Sequence, residues 1–284
     1  MMQEIPADCQ KASYEPVEIQ GRRFLRNTSY VLPKDGGEVN RLDFQHYLLR
    51  QAFRGDYLAP IGHHPGSILD VGSGTGIWGK TLAQQFPETP IYSVDLEHIK
   101  TTGLTPPNYT FVQGNILEGL PFGDESFRFV HQRLLVSAIR APYWPTVIRE
   151  LLRVTQPGGY IELVECAFEG INLGPFTQHF FTWGKQAFQS RGIDLQIIPE
   201  LGRYLREAGV RDIQERLVDL PLGSWGGRIG SLTLENQSMV FQSMRAVYTQ
   251  MGGEQEFDTL LAQLPQEWEH HHSLFRFYAF WGRK

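Results

Sequence analysis

The fold of this chain is decided by residues 68–78, which read ILDVGSGTGIW. Their apolar, β-branched first part predicts a buried strand, and the apolar positions after the glycines recur at helical spacing. The glycines therefore lie on a strand-to-helix turn, where a parallel α/β sheet binds its ligands. Because Gly72, Gly74 and Gly76 lack a Cβ, we expect positive φ angles and backbone amides that approach a ligand closely.

The spacing of the glycines and the acid before them limit the class of ligand. A dinucleotide fingerprint requires G-x-G-x-x-G, but Ile77 stands at its third glycine position. A Walker loop is excluded because Gly79-Lys80-Thr81 lies inside the predicted helix, too far along the chain. Asp70 ends the strand with a carboxylate that would repel a pyrophosphate and suits an ammonium group. These features favour a ligand with an amino-acid part.

Four segments, in order, resemble motifs of the class I S-adenosylmethionine (SAM)-dependent methyltransferases. The glycine loop is similar to the first motif, and segment 91–95 ends in an acid about 20 residues later, where a carboxylate can accept both ribose hydroxyls. Residues 111–116 (FVQGNI) are similar to the third-strand segment, and residues 156–163 (QPGGYIEL) to the turn before strand five. The resemblance implies SAM as the cofactor and S-adenosylhomocysteine (SAH) as the product.

The resemblance also implies which residues contact the cofactor. It assigns Asp95 to the ribose, Asn115 to the adenine amino group and Ile116 to the adenine ring. Many relatives carry Asp in place of Asn115, and the amide keeps an acceptor oxygen there. The residues expected to bind the cofactor are Tyr30, Gln45, His46, Asp70, Gly72, Ser73, Gly74, Thr75, Gly76, Asp95, Leu96, Asn115, Ile116 and Gln132.

Segments outside the glycine loop narrow the resemblance to the LaeA-like (TAM-domain) branch. YVLP at 30–33, NRLDFQH at 40–46, LAPI at 58–61 and LPLGSW at 220–225 are similar to that branch, whose members are associated with fungal secondary metabolism. By this analogy Tyr30, Gln45 and His46 form a lid on the cofactor. The alternative is that Gln45 and His46 pack or cap, since a single histidine on an amphipathic helix is usually structural.

The expected fold is α/β, with a Rossmann-like, seven-stranded, mostly parallel sheet and helices on both faces. The resemblance makes the last strand, at 274–281, antiparallel. Proline and glycine interrupt any period at the start of the chain, so we expect an irregular N-terminal arm there. The expected divisions are an arm at 1–37, a methyltransferase domain at 38–284, a SAM-binding core at about 58–166, and helical insertions at about 170–198 and 226–270.

Two side chains after the later strands are candidates for catalysis. His131 follows strand four at the carboxyl end of the sheet, and imidazole titrates near neutral pH, so it is a candidate general base. Glu165 ends strand five and is a second candidate. Packing or orienting roles, or a solvated strand-end acid at Glu165, remain open. Arg133 is expected to bind an acidic group of the substrate.

An aromatic helix predicted from Pro175 to Arg191 departs from a minimal methyltransferase core. It is either a roof over a substrate pocket or part of the ordinary core, because both are built from aromatic side chains. The candidate substrate contacts there are Phe176, His179, Phe180 and Trp183.

Composition excludes several other classes of protein. The 284 residues carry a net charge of −5 with no basic run, which argues against nucleic-acid binding. No apolar run reaches the roughly 18 residues of a membrane span, and acids stand where a signal peptide would be basic, so we expect a cytoplasmic protein. Cys9 and Cys166 lack partners at metal spacing, and His270–His272 has no matching acids or cysteines, so we expect free thiols and no metal.

The predicted activity is methyl transfer to an O or N atom of a hydrophobic or aromatic small molecule, in secondary metabolism. If the acceptor must lose a proton, His46 and His179 are further candidate bases. Two alternatives stay open, a protein methyltransferase or regulatory LaeA-like protein, and a non-methyl reaction such as a cyclisation. An NAD-dependent oxidoreductase is disfavoured by Ile77. The sequence leaves the oligomeric state open.

Overall fold

A computed structural model describes residues 15–26, 28, 30, 32–99, 104–250 and 254–284. The strands in these ranges are β1 Pro16–Ile19, β2 Arg22–Leu25, β3 Ile68–Val71, β4 Ile91–Asp95, β5 Tyr109–Gln113, β6 Phe127–Arg133, β7 Thr155–Ile171, β8 Arg211–Pro221 and β9 Leu274–Arg283. The α-helices are α1 Gly36–Phe53, α2 Ile77–Gln85, α3 Trp144–Val154, α4 Pro175–Gln189, α5 Leu201–Glu207, α6 Gly227–Ser243, α7 Arg245–Gln250 and α8 Glu254–His271.

Seven strands form one sheet in the order β5-β4-β3-β6-β7-β9-β8. All neighbouring pairs are parallel except those of β9, which runs antiparallel to both β7 and β8. The predicted fold class, including the antiparallel last strand, is confirmed. The strand order reverses between β3 and β6, and ligands of such sheets bind beyond the carboxyl ends at that point.

The register aligns three buried polar residues across the middle of the sheet. Asp70 on β3 pairs with His131 on β6, which pairs with Glu162 on β7. Residues paired in register project from the same face of a sheet. On that face Ile68 and Phe129 pack in a cluster with Trp78 of α2, so the polar row adjoins an apolar layer.

The predicted irregular arm is wrong over residues 16–25, where β1 and β2 form an antiparallel hairpin. Its two-residue turn places Gln20 at φ 50° and Gly21 at φ 73°. Two successive positive φ angles match the twist of the flanking strands, which favours a tight hairpin. The interrupting prolines lie outside the paired segments or at their first residue, so they do not prevent pairing.

Helix α1 follows this hairpin and precedes the first strand of the large sheet. Asp35 caps it by accepting a hydrogen bond from the Glu38 N–H at 3.1 Å. The helix ends at Arg54, which takes the left-handed conformation, with φ 61°. The Gly55 N–H then donates to the Arg50 carbonyl at 3.0 Å and completes the helix end.

Strand β7 is longer than the sequence predicts. Thr155 pairs with Phe127 before a bulge, and regular pairing resumes at Tyr160 with Phe129. At its far end β9 continues the ladder to Ile171 past a second bulge. Bulges let a strand pass residues that would otherwise end it.

Helices α4, α6, α7 and α8 form a layer, here called the cap. Helices α6 and α7 are separated at Met244. Phe180, Phe241 and Tyr248 pack together inside the cap, with ring centroids 4.4 and 4.5 Å from Phe180. The boundaries proposed for arm, core and insertions stay predictions. Within the described ranges, no helix combines the length and apolar character needed to cross a membrane.

Candidate functional site

A cavity of about 470 Å³ lies beyond the carboxyl ends of β3, β4 and β6. Helix α1 and the segment before it also contribute to the wall. The predicted site residues that line the cavity are Tyr30, Gln45, Asp70, Gly72, Ser73, Gly74, Thr75, Asp95, Leu96, Asn115, Ile116 and Arg133. The structure thus brings the glycine loop together with the acid that precedes it, Asp70, and with the acid and the amide that follow it, Asp95 and Asn115.

The glycine loop uses its amides differently from the sequence expectation. The N–H groups of Gly72 and Ser73 donate to the Val94 carbonyl at 2.8 and 3.1 Å, and that of Gly74 donates to Asp95 at 2.9 Å. These amides therefore fix the loop to β4 instead of facing a ligand. Gly72 has a positive φ of 71°, which favours glycine, and its backbone can approach a ligand closely. The three amides do not form a nest that could bind a phosphate.

Gly76 has a packing role and is not among the described residues that line the cavity. Its φ is 72°, and an added Cβ would overlap the hydroxyl of Tyr109. Glycine at this position therefore lets α2 begin against β5. The contact of Gly76 with the cofactor stays a prediction.

Asp95 lies at the end of β4 and has partners on both carboxylate oxygens. Oδ2 accepts from the Gly74 N–H, and Oδ1 accepts from Lys34 Nζ at 3.1 Å and from the Glu97 N–H at 3.4 Å. A carboxylate has about four acceptor positions, so these three bonds leave capacity for a further donor. Lys34 lines the cavity but was not predicted, because no sequence signal relates this segment to β4.

Asp70 is 3% exposed and has one oxygen engaged. Its Oδ1 lies 3.4 Å from His131 Nδ1, while Oδ2 has no hydrogen-bond partner among the described residues. A buried carboxylate oxygen of this kind favours a donor or a cation. Burial lowers the pKa of the nearby Arg133, and Asp70, Asp56 and Glu162 oppose that shift. The cavity wall here carries a carboxylate and a guanidinium side by side.

His131 does not lie at the cavity wall, so the prediction of a general base is corrected. It is 1% exposed and stacks on Trp78, with ring centroids 3.9 Å apart and an interplanar angle of 4°. Trp78 itself lines the cavity. Burial lowers the pKa of His131. A neutral imidazole in this position contacts neighbouring protein groups and does not reach a substrate proton.

Glu165 is also not among the described residues at the wall, and its candidacy as a catalytic acid or base is corrected. It is fully buried, and its oxygens accept from the Leu135 and Val136 N–H groups at 3.0 and 3.1 Å. Burial raises its pKa to about 8, against the effect of these hydrogen bonds. Glu165 therefore holds the segment after β6, which forms part of the cavity wall.

His46 and Gln132, two predicted cofactor residues, are buried behind the wall. His46 Nδ1 lies 3.3 Å from Arg133 Nη2, and Nε2 lies 3.4 Å from Thr81 Oγ1. Burial, then the charge of Arg133, lowers the pKa of His46 to about 3. Gln132 Nε2 donates weakly to Glu165 at 3.5 Å. Both residues connect neighbouring elements of the fold. For His46, such a packing role is the alternative that the sequence left open.

Asn115 and Ile116 line the cavity in the loop after β5. Asn115 Oδ1 accepts from the Leu117 N–H at 3.0 Å, and Nδ2 donates to Glu118 at 2.8 Å. The amide thus shapes its own turn, as asparagine commonly does.

The sequence interpretation missed an apolar wall that lies outside the family motifs. It is formed by α1 and by the segment that Glu165 holds, and its residues are Val39, Leu42, Leu134, Leu135, Ala138 and Ile139. The sequence signal for this wall is the helical spacing of Val39 and Leu42, which indicates an inward-facing side of α1. Glu38, also at the wall, is 2% exposed and forms an ion pair with Arg41 at 2.7 Å.

Side chains of the aromatic helix α4 lie in the core or at the surface, and none is among the described residues that line the cavity. The four substrate candidates on this helix are corrected accordingly. Phe180 is fully buried, and Trp183 packs against Tyr248 inside the cap. Phe176 is 40% exposed, and His179 lies on the outside, 3.9 Å from Glu256. An aromatic stripe at helical spacing is adequately explained by packing between helices.

Metal ligands and thiols add nothing to this site. Across the described ranges, no group of three or more His, Cys, Asp or Glu side chains could hold a metal ion. Cys166 is a free cysteine, whereas Cys9 lies outside the described residues.

Comparisons with known proteins agree with this geometry. A family model for a methyltransferase domain matches residues 68–159. The chain is 32% identical to the "Secondary metabolism regulator laeA" of Monascus pilosus, over 78% of this chain and 62% of that protein. It is 31% identical to "Methyltransferase str3" of Strobilurus tenacellus, over 69% of this chain and 71% of that protein.

A solved structure, phosphoethanolamine N-methyltransferase 2 of Haemonchus contortus with SAM, aligns with a TM-score of 0.48 and 14% identity, over 85% of this chain and 57% of that one. The match to the Monascus regulator leaves more than a third of that protein's length outside the alignment. On the identity to the Strobilurus methyltransferase, together with the sheet order and the glycine loop, the chain belongs to the class I SAM-dependent methyltransferases, whose cofactor is SAM.

Proposed function

We propose that this protein transfers the methyl group of SAM to an O or N atom of a hydrophobic or aromatic small molecule. The observation that carries the proposal is a single cavity with polar groups at the strand ends and an apolar wall from α1 and the segment after β6. The polar part fits a charged nucleoside, and the apolar part fits a substrate that lacks charge over most of its surface.

The proposed cofactor contacts follow the charges of SAM. Asp70 Oδ2, buried without a partner among the described residues, suits the ammonium group, and Arg133 beside it suits the carboxylate. Asp95 has acceptor capacity for the ribose hydroxyls, and Asn115 and Ile116 are proposed to contact the adenine. The glycine loop, with its amides bound to β4, accommodates a ligand without phosphates.

SAM, when bound, supplies an activated methyl group on a positively charged sulfur. The protein's own contribution is to hold the acceptor atom in line, and positioning of this kind accounts for much of the rate enhancement. His131, Glu165 and His46 are held by protein groups, and His179 lies on the outside of the cap. The proposal therefore assigns none of the four the acceptor's proton.

The test combines binding with product analysis. Calorimetry with SAH measures the cofactor site, and mass spectrometry after incubation with SAM and a panel of phenols and aromatic amines detects a methylated product together with SAH. The proposal fails if the protein binds neither SAM nor SAH. It also fails if only a cyclised or otherwise unmethylated product forms while SAM stays intact.

A second candidate is methylation of a protein, or a regulatory role, in secondary metabolism. It is favoured by the name of the Monascus relative, which describes a regulator. Transfer of a labelled methyl group to a protein partner, with no small molecule modified, would support this candidate over the first. We also propose a cytoplasmic location, and cell fractionation tests it.

A further inference from the structure

His131 is a buried group that the proposed reaction does not use. It lies in register between Asp70 and Glu162, one strand away on either side. Its Nδ1 is 3.4 Å from Asp70 Oδ1, and its Nε2 is 4.0 Å from Glu162 Oε1. Its only close hydrogen-bonding contact among the described residues is therefore with the carboxylate at the cavity wall.

The orientation of the His131 ring is fixed by its surroundings. The ring lies flat on Trp78, whose indole Nε1 donates to the Asp56 carbonyl at 2.7 Å. A carboxylate only accepts hydrogen bonds, so the contact with Asp70 assigns the ring proton to Nδ1. The imidazole is thus a donor held at a set angle to Asp70.

We propose that His131 is a positioning residue for Asp70. Its Nδ1–H holds Asp70 Oδ1, so that Oδ2 stays at the cavity wall for the ammonium group of the cofactor's amino-acid part. This inference rests on the proposed function, because it assumes that SAM or SAH occupies the cavity.

The neighbouring charges explain why such a constraint matters. Arg133 is a half-buried cation at the cavity wall whose surroundings include Asp70, Asp56 and Glu162. Without the His131 donor, the Asp70 carboxylate is free to turn towards Arg133 and form an ion pair. It would then present less negative charge to the ammonium group, while the nucleoside contacts at Asp95 would be unchanged.

The experiment compares two ligands and two substitutions by calorimetry. SAH carries the amino-acid part, and 5′-methylthioadenosine has the same nucleoside without it. His131→Phe keeps an aromatic ring against Trp78 but removes the donor, whereas His131→Asn places an amide N–H close to the Nδ1 position. We expect His131→Phe to weaken SAH binding about 10-fold and to leave methylthioadenosine within about twofold. His131→Asn should recover most of the SAH affinity.

Several results would overturn the inference. Equal weakening of both ligands by His131→Phe would indicate a packing role only, and a loss in His131→Asn equal to that in His131→Phe would show that the donor is irrelevant. Should His131→Phe not fold, His131→Gln, whose amide reaches past the Nδ1 position, is expected to show the same selective loss. If the unaltered protein binds neither ligand, the proposed function itself fails, whereas unchanged SAH binding by a folded His131→Phe variant rejects this inference alone.

Discussion

Two sets of buried carboxylates differ in what their oxygens contact. Glu162, Glu165 and Glu267 each accept hydrogen bonds from two consecutive backbone N–H groups of a distant segment. Asp70 and Asp95 instead lie at the cavity wall and keep acceptor capacity there. Burial alone therefore does not identify a functional acid in this protein, and the remaining hydrogen-bonding capacity does.

The framework carboxylates, Glu162, Glu165 and Glu267, hold three connecting segments in place. Glu162 binds the N–H groups of Leu58 and Ala59, both at 2.7 Å, and so fixes the LAPI segment before β3. Glu267 binds the start of α4 through the Thr177 N–H at 2.8 Å. Since unpaired buried amides are costly, each carboxylate stabilises the approach of chain segments that are far apart in sequence.

The largest effect is expected for Glu267→Ala. It leaves the Phe176 and Thr177 N–H groups and the Thr177 hydroxyl without their acceptor, which should lower the free energy of unfolding by about 3 kcal/mol. Urea denaturation measures this. The control is Glu256→Gln, an exposed acid on the same helix, expected to change stability by less than about 0.5 kcal/mol. Equal losses for both variants would contradict the distinction between framework and surface acids.

Asp95→Ala tests the cavity carboxylates. Loss of the charge-assisted hydrogen bonding between Asp95 and the ribose should weaken SAH binding about 100-fold in calorimetry. Glu97→Gln alters a more exposed acid two residues along, paired with Arg23, and should leave the affinity within about twofold. An Asp95→Ala variant that binds SAH normally would show that this acid belongs to the framework set.

The pH dependence of stability provides a further test of the framework carboxylates Glu162 and Glu165. Burial raises the pKa of Glu162 to about 7 and that of Glu165 to about 8, above the ordinary glutamate value. Because each carboxyl binds its proton more tightly in the folded protein, its contribution to stability is greatest at low pH. That contribution is lost as the pH rises through the raised pKa.

The free energy of unfolding should accordingly fall by roughly 4 kcal/mol between about pH 5.5 and about pH 7.5, about half of it from each glutamate. Glu165→Gln, which cannot titrate, should flatten this slope whatever its stability at a single pH. Urea denaturation at both pH values measures the slope. A slope unchanged by the substitution would mean that Glu165 does not titrate in this range.

The smallest effects are expected for the outer face of the cap. Phe176→Ala and His179→Gln alter side chains that lie outside the described cavity lining, so SAH affinity and the rate of methyl transfer should stay within about twofold. Calorimetry and product formation measure the two quantities. A tenfold loss in SAH affinity or in the rate of methyl transfer would indicate that α4 contributes to the substrate site.

The sequence allowed most of the sheet to be predicted because its strands are apolar runs followed by glycine or acidic residues. β3, β4 and the antiparallel β9 appear where their patterns indicated. The hairpin at 16–25 was missed because its turn is Gln20-Gly21, without the Asn or Asp that commonly marks such turns. The length of β7 was missed because its continuation depends on pairing with β9, which lies more than a hundred residues later.

The sequence by itself determined the glycine loop, the positions of β3 and β4 and the acids at their ends, because these depend on local periodicity and backbone freedom. Only the tertiary structure decided which acids remain available to a ligand. That depends on whether distant backbone amides reach a carboxylate, as they do at Glu165 from Leu135 and Val136. Hydrogen bonds between residues far apart in sequence leave no local sequence pattern. They occupy both oxygens of Glu165, whereas Asp70 keeps one oxygen without a partner among the described residues.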